Sequence, residues 1–111
     1  MNKQQRIKLV NDNMQKIVVS SRTLNCVRYN THNKPKHELK KASICLDAQI
    51  KGFDYVTEAK FKNGSGTADI YIPELDWAIE VLDSETMARF NKKNYPVKRI
   101  IPVRVEEKFE V

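Results

Sequence analysis

Three acidic residues at even spacing are the side chains of this sequence best suited to chemistry, namely Glu58, Asp69 and Glu80 (hereafter the acidic row). Carboxylate oxygens are the usual protein ligands of hard divalent cations such as Mg²⁺ and Mn²⁺. A cation held in this way can activate water and stabilise the charge that develops on a phosphate. The acidic row is therefore a candidate metal site, provided that the fold brings its members together.

Two predicted turns place the members of the acidic row side by side. The Asn63-Gly64 dipeptide is a typical two-residue hairpin loop, and its register puts Glu58 opposite Asp69. A four-residue turn over 73–76 likewise puts Asp69 opposite Glu80. Like charges that face each other destabilise a sheet, so a bound cation would resolve the conflict. Two alternatives stay open: lysines could pair with the acids, or a slip of one residue could turn an acid to the other face.

The segment before these strands has the periodicity of a helix over 36–51, which Gly52 ends. Glu38 lies at the edge of its apolar stripe, and Lys41 lies one turn farther along the same flank. The stripe that is predicted to face the core consists of Leu39, Ala42, Leu46 and Ile50.

The acidic row is predicted to lie on a three-stranded meander, which a helix and a fourth strand follow. The last meander strand, Trp77–Leu82, is a nearly continuous apolar run, as is typical of a central strand covered on both faces. Pro102 indicates that the fourth strand lies at an edge or carries a bulge. The predicted elements are strands over 54–62, 67–72 and 77–82, a helix over 84–94 with Ser84 as its N-cap, and a strand over 97–105.

The length of 111 residues suits one α/β domain with a small N-terminal extension. We expect a domain over 1–111 with a core over about 36–105 and an extension over 1–35. The extension could supply an extra strand pair or a dimer surface. Its predicted elements are a short helix over 3–14 and strands over 16–21 and 24–29.

The chain carries 20 Lys and Arg against 14 Asp and Glu, which gives a net charge of +6. The basic residues concentrate over 30–51 and 92–104, on both sides of the acidic row in the sequence. This pattern favours a polyanionic partner such as DNA, although an ordinary solvated basic surface would have the same composition. No apolar stretch is long enough to span a membrane, so we expect a cytoplasmic protein, in a host cell if the source is viral.

Over roughly residues 36–105 the sequence resembles the PD-(D/E)xK nuclease superfamily, which includes restriction enzymes and archaeal Holliday junction resolvases. The family's helical Glu matches Glu38 in the run His37-Glu38-Leu39-Lys40-Lys41. Its second-strand Asp matches Asp69, and its third-strand acid matches Glu80. The resemblance implies a restriction-endonuclease-like core (helix, three-strand meander, helix, strand) and Mg²⁺- or Mn²⁺-dependent cleavage of DNA. It also implies a homodimer, because cutting two strands needs two sites.

The sequence departs from the family at the third-strand lysine, whose position is taken by Leu82. In the family that lysine orients or activates the attacking water and offsets phosphate charge. Lys60 could replace it, because the predicted registers put Lys60 in the same cross-strand row as Leu82, two strands away. Lys41, beside Glu38 on the helix, is the other candidate. Both could instead be surface lysines of a protein that cleaves slowly or not at all.

Two functional hypotheses follow. The first is a metal-dependent DNA endonuclease that hydrolyses phosphodiester bonds, including those of branched or structured DNA. The second is a catalytically inactive protein of the same fold that serves as a nucleic-acid-binding or protein-interaction module. The first assigns catalysis to Glu38, Asp69, Glu80, Lys60 and Lys41, metal binding to Asp69, Glu80 and Glu58, and nucleic-acid binding to Lys36, His37, Lys40, Lys92 and Lys93.

Overall fold

The computed structural model describes residues 1–20, 23–83 and 87–111 of the chain. Its strands form one four-stranded sheet in the order β1-β2-β3-β4, with antiparallel β1–β2 and β2–β3 pairs and a parallel β3–β4 pair. The chain is thus an α/β fold with a mixed sheet, and the predicted order of helix, three-strand meander, helix and strand is confirmed. The elements are α1 (Lys3–Met14), α2 (Pro35–Ile50), β1 (Val56–Lys60), β2 (Thr67–Ile72), β3 (Trp77–Leu82), α3 (Met87–Phe90) and β4 (Arg99–Arg104).

Both predicted strand registers are confirmed. Lys60 pairs with Thr67 across β1 and β2, and Ile72 pairs with Trp77 across β2 and β3. The first loop is longer than the predicted two residues, because the Phe61 amide donates to the carbonyl of Gly66 at 3.0 Å and leaves residues 62–65 as the turn. The longer loop keeps the register, since it adds one residue to each side of the turn.

Strand β1 is irregular at Glu58, whose φ of 50° lies in the left-handed region. Val56 and Ala59 nevertheless pack in the same apolar cluster. Residues three apart in a regular strand point to opposite faces, so the alternation of faces shifts at Glu58. The predicted register of β1 and β2 was correct, but Glu58 and Asp69 are not among its paired residues, and the register did not fix the face to which the Glu58 side chain points.

Helix α2 turns its predicted apolar stripe away from the core. Leu39, Leu46 and Ile50 (hereafter the outer stripe) are 68%, 60% and 74% exposed. The sequence-based orientation was wrong because the helix has a second apolar run, which shares its face with polar residues that pair against the sheet. The buried residues of α2 are His37, Glu38, Lys41, Ile44, Cys45 and Ala48.

Apolar side chains cover both faces of the sheet. One cluster joins α2 to the sheet and contains Ile44, Cys45, Ala48, Tyr55, Ile70, Ile72, Ile79, Val81 and Val103. The other contains Ile17, Val56, Ala59, Phe61, Ala68, Tyr71, Ala78 and Tyr95. Strand β3 lies between the two clusters, and it is buried on both faces as predicted.

The N-terminal extension contributes to the second cluster through Ile17. The amide of Asn13 also donates to the carbonyl of Pro73 at 2.7 Å, which ties the end of α1 to the β2–β3 turn. The strands predicted over 16–21 and 24–29 are reduced in the described residues to isolated bridges at Ile17 and Leu24. Residue 21, the end of the first predicted strand, lies outside the described residues.

The observed bounds of the remaining helices and strands can be compared with the predicted ones. Helix α1 spans the predicted residues, and Gly52, at φ 83°, follows the end of α2 as predicted. Helix α3 ends at Phe90, so its predicted extension to residue 94 was wrong, and the predicted N-cap Ser84 lies outside the described residues. Strand β4 is an edge strand, as Pro102 indicated.

The orientation of α2 predicts opposite outcomes for two alanine substitutions. Ile44→Ala should lower the free energy of unfolding by about 2–5 kcal/mol, because it leaves a cavity between α2 and the sheet. Leu46→Ala should change it by less than about 0.5 kcal/mol, because that side chain lies in solvent. Chemical denaturation of both variants measures the difference. A larger loss for Leu46→Ala, measured at a protein concentration at which the chain is monomeric, would contradict the observed orientation.

Candidate functional site

Lys41 is fully buried between two carboxylates. It is 0% exposed, and its Nζ lies 2.6 Å from Oε1 of Glu38 and 2.9 Å from Oε1 of Glu58. Burial opposes the charge of the ammonium, but the two carboxylates outweigh burial and raise the pKa of Lys41. A buried charge is tolerated only when it is paired in this way. Glu58 thus faces α2 and a lysine, which is one of the alternatives that the sequence left open.

Glu38 accepts hydrogen bonds from several sides. Its carboxylate receives the Asn30 amide at 2.6 Å and the Asn33 side chain at 3.2 Å, and it lies 2.6 Å from Nδ1 of His37. Burial by itself raises the pKa of Glu38, but the contacts with Lys41, Asn30, His37 and Asn33 outweigh it and lower that pKa to about 2. Glu38 is therefore an ionised residue that holds other side chains in place.

His37 connects Glu38 to the acidic row. While Nδ1 contacts Glu38, Nε2 lies 3.4 Å from Oδ2 of Asp69. The hydrogen bond with Asp69 raises the pKa of His37 most strongly; burial lowers it and Glu38 raises it further, to about 9. The ring is therefore an imidazolium at neutral pH, held between two carboxylates.

Asp69 lies where β2 changes face. Ala68 and Tyr71 pack in one cluster although they are three residues apart, so the alternation of faces shifts here as it does at Glu58. Oδ2 of Asp69 accepts the Val81 amide at 2.8 Å and also makes the contact with His37. Both of these contacts use Oδ2, and the Asp69 side chain is partly exposed.

Glu80 is buried on β3. Its Oε1 accepts the hydroxyl of Tyr95 at 2.6 Å, and its Oε2 lies 3.2 Å from Nζ of Lys93. Burial and then the negative charge of Asp69 raise the pKa of Glu80 to about 7, although Tyr95 and Lys93 act in the opposite direction. Asp69 and Glu80 therefore repel each other electrostatically across neighbouring strands.

The acidic row is divided by these contacts. Glu58 pairs with Lys41, whereas Asp69 and Glu80 form a carboxylate pair that His37 and Lys93 flank. Within residues 1–20, 23–83 and 87–111, no group of three or more His, Cys, Asp or Glu side chains is arranged to hold a metal ion. The expected site of three metal ligands is thus not brought together, and two of its members remain adjacent.

The predicted phosphate-binding residues have different environments. Lys36 forms an ion pair with Asp83 at 2.9 Å and lowers the pKa of that carboxyl. Lys40 contacts the backbone carbonyl of Glu107, and Lys92 is exposed. Lys60, a predicted catalytic residue, is exposed and makes no side-chain hydrogen bond or ion pair with the described part of the chain. Of this set, Lys93 and His37 contact the carboxylate pair.

Tyr95 is a residue of the site that sequence reasoning missed. It lies between α3 and β4, in a segment without periodicity. The one sequence signal is Pro96, because a proline restricts the preceding residue to extended backbone and so limits where its side chain can point. That signal gives no partner, and only the fold shows that the hydroxyl meets Glu80.

Comparison of the chain with models of protein families, with curated proteins and with solved structures finds no match. Among the helices of the described residues, none has the length and apolar character needed to cross a membrane.

The depressed pKa of Glu38 predicts a pH-dependent contribution to stability. A shift from 4.5 to about 2 corresponds to a contribution of about 3 kcal/mol that is present above pH 4.5 and is lost as the pH falls through about 2. Glu38→Gln should therefore lower the free energy of unfolding at pH 7 by about this amount. Its difference from wild type should shrink between pH 4.5 and 2.

Urea denaturation across this pH range measures the effect. Glu106→Gln, which removes the charge of an exposed glutamate, is the matched control and should follow the wild-type curve. A Glu38→Gln curve that stayed parallel to wild type down to the lowest pH would contradict the assignment.

Proposed function

We propose that this protein is a divalent-metal-dependent DNA endonuclease of the PD-(D/E)xK type with a restriction-endonuclease-like core. The observation that supports this most strongly is the Asp69–Glu80 pair. Burial and then the negative charge of Asp69 raise the pKa of Glu80, and such an arrangement costs free energy and is typical of functional sites. A bound cation would relieve the repulsion.

The two carboxylates fit Mg²⁺ or Mn²⁺ as ligands. Magnesium usually binds through one or two carboxylates, with water and substrate phosphates completing its shell, so a cage of three protein ligands is not required. Oδ1 of Asp69 and Oε2 of Glu80 are the proposed ligand atoms. When bound, the cation would supply activation of water and stabilisation of phosphate charge.

The neighbouring residues support this site in distinct ways. Glu38 fixes the imidazolium of His37, and His37 in turn holds Oδ2 of Asp69. Lys41 neutralises Glu38 and Glu58 from a fully buried position. We therefore assign Lys41 to positioning rather than to contact with DNA, and Glu58 to pairing with Lys41 rather than to metal binding.

Lys93 takes the role of the missing third-strand lysine in this proposal. It contacts Oε2 of Glu80, and its side chain is partly exposed, so it can offset phosphate charge beside the carboxylate pair. The side chain of Lys60 has neither a contact with the acids nor a hydrogen-bond or ion-pair partner within the described residues. Lys36, at the N-terminal turn of α2, and Lys92 would contact the DNA backbone.

A homodimer belongs to the same proposal, because cleavage of two strands requires two sites. The outer stripe of α2 is an apolar surface of the kind that mediates protein contacts.

A second candidate function is DNA binding without cleavage. The observation that favours it is that each acid of the site already contacts a cationic side chain, Lys41 for Glu38 and Glu58, His37 for Asp69, and Lys93 for Glu80. Such pairing would stabilise a fold that has lost its metal.

The endonuclease proposal predicts that Asp69→Asn abolishes cleavage and spares binding. Branched, single-stranded and linear DNA would be incubated with the protein and Mg²⁺ or Mn²⁺. We expect wild-type cleavage and at least a ~100-fold loss in the variant, because even a residue that only supports a metal ligand contributes ~10–100-fold. DNA affinity, measured by fluorescence anisotropy, should stay the same or increase, because a negative charge is removed.

Cleavage that survives Asp69→Asn would overturn the proposal. Salt-sensitive binding by wild type with no cleavage in either metal would support the second candidate function.

The assignment of the lysine role predicts different effects for two methionine substitutions. Lys93→Met should slow cleavage by about 100-fold, the usual cost of removing one preorganised charge at a transition state. Lys60→Met should leave cleavage near the wild-type rate, because its side chain is exposed and away from the acids. Single-turnover cleavage rates measure both. A larger effect of Lys60→Met than of Lys93→Met would instead assign the role of the third-strand lysine to Lys60.

A further inference from the structure

We propose that Tyr95 is a positioning residue that holds Oε1 of Glu80 and so presents Oε2 as the oxygen that binds a divalent cation. This inference rests on the proposed function, since it assigns a task within the same site. The hydroxyl of Tyr95 donates to Oε1 at 2.6 Å, whereas Oε2 faces Lys93 at 3.2 Å.

The ring of Tyr95 is fixed by its packing. It stacks on Phe61 with a centroid separation of 4.9 Å and an interplanar angle of 26°. Gly66 lies against the ring on the β1–β2 loop, where an added Cβ would come within 3.1 Å of Cε1 of Tyr95. The absence of a side chain at Gly66 thus allows the backbone to approach the ring closely. A ring held in this way brings its hydroxyl to one place.

The hydroxyl also lies 3.1 Å from the carbonyl oxygen of Thr67 on β2. Tyr95 therefore touches the strand that carries Asp69 as well as the side chain of Glu80 on β3. Because one group contacts both strands, it fixes the direction of the Glu80 carboxylate relative to β2. Hydrogen bonds of this kind orient metal ligands, and their loss typically weakens metal binding.

The two oxygens of Glu80 differ in their access to a ligand. Oε1 is used by a buried hydroxyl, and Tyr95 itself is 7% exposed. Oε2 contacts the ammonium of Lys93, whose side chain is 24% exposed whereas that of Glu80 is 3% exposed, so a divalent cation that binds Oε2 must displace this ammonium. Without the hydroxyl of Tyr95, the carboxylate of Glu80 could rotate, and Oε1 and Oε2 would no longer differ in their access to a ligand.

The test is the affinity of the full chain for Mn²⁺ without DNA, measured by the electron paramagnetic resonance signal of the free ion. Tyr95→Phe keeps the stacked ring and removes the hydroxyl. We expect its dissociation constant for Mn²⁺ to rise by about 10–100-fold, the usual cost of losing a group that orients a metal ligand. Circular dichroism would verify that the variant folds.

Tyr71→Phe is the matched control. Tyr71 is also a buried tyrosine of the same cluster, and its hydroxyl donates to a carboxylate, Oδ1 of Asp76, at 2.5 Å. This variant should lose a comparable amount of thermal stability and bind Mn²⁺ as wild type does. A purely structural role of Tyr95 would affect the two variants alike.

The outcomes separate the inference from the proposed function. If wild type binds no Mn²⁺, the proposed metal site fails and the role of Tyr95 fails with it. If wild type and Tyr95→Phe bind Mn²⁺ equally, only the role of Tyr95 is overturned.

If Tyr95→Phe does not fold, a second test uses Tyr71→Phe, which keeps Tyr95. Its ultraviolet tyrosine absorption is measured with and without Mn²⁺. Mn²⁺ should perturb it, because a cation on Glu80 changes the hydrogen bond of Tyr95, and an unchanged spectrum at saturating Mn²⁺ would overturn the inference.

Discussion

The buried ammonium of Lys41 is the constraint on which the arrangement of α2 and the sheet depends. A charge with no exposure must be paired, and Lys41 has Glu38 on its own helix and Glu58 on β1. The pairing fixes which side of α2 faces the sheet, so the outer stripe is left in solvent. It also requires Glu58 to point toward α2, and the left-handed backbone at this residue shifts the face of β1 accordingly.

The same pairing extends to the carboxylate pair through a chain of contacts. Glu38, held by Lys41, orients His37, and the contacts of His37 with Asp69 and then with Glu38 raise its pKa and keep it protonated. Burial and then the charge of Asp69 raise the pKa of Glu80, the most deeply buried acid of the row. The residues of the candidate site thus form one electrostatic unit, in which each carboxylate affects the charge of the next.

The sequence was sufficient to predict the features that depend on the number of residues between turns. The element order and both registers followed from turn chemistry, and the longer first loop left them unchanged. The faces of α2 and of Glu58 could not be predicted in this way. Periodicity identifies apolar stripes but cannot choose between two of them when polar side chains pair across elements, and a register does not specify φ. Tyr95 was missed for a related reason, since its partner lies on a distant strand.

The position of Leu82 follows from the same electrostatic constraint. Leu82 is 1% exposed on a strand that is covered on both faces, so a lysine there would need carboxylate partners of its own. Lys41 shows what this requires, because two acids surround it. Under the proposed function, a lysine that enters from the segment after α3 avoids this requirement, since Lys93 stays partly exposed while it contacts Glu80. A leucine on β3 is therefore compatible with catalysis, provided that the positive charge comes from outside the sheet.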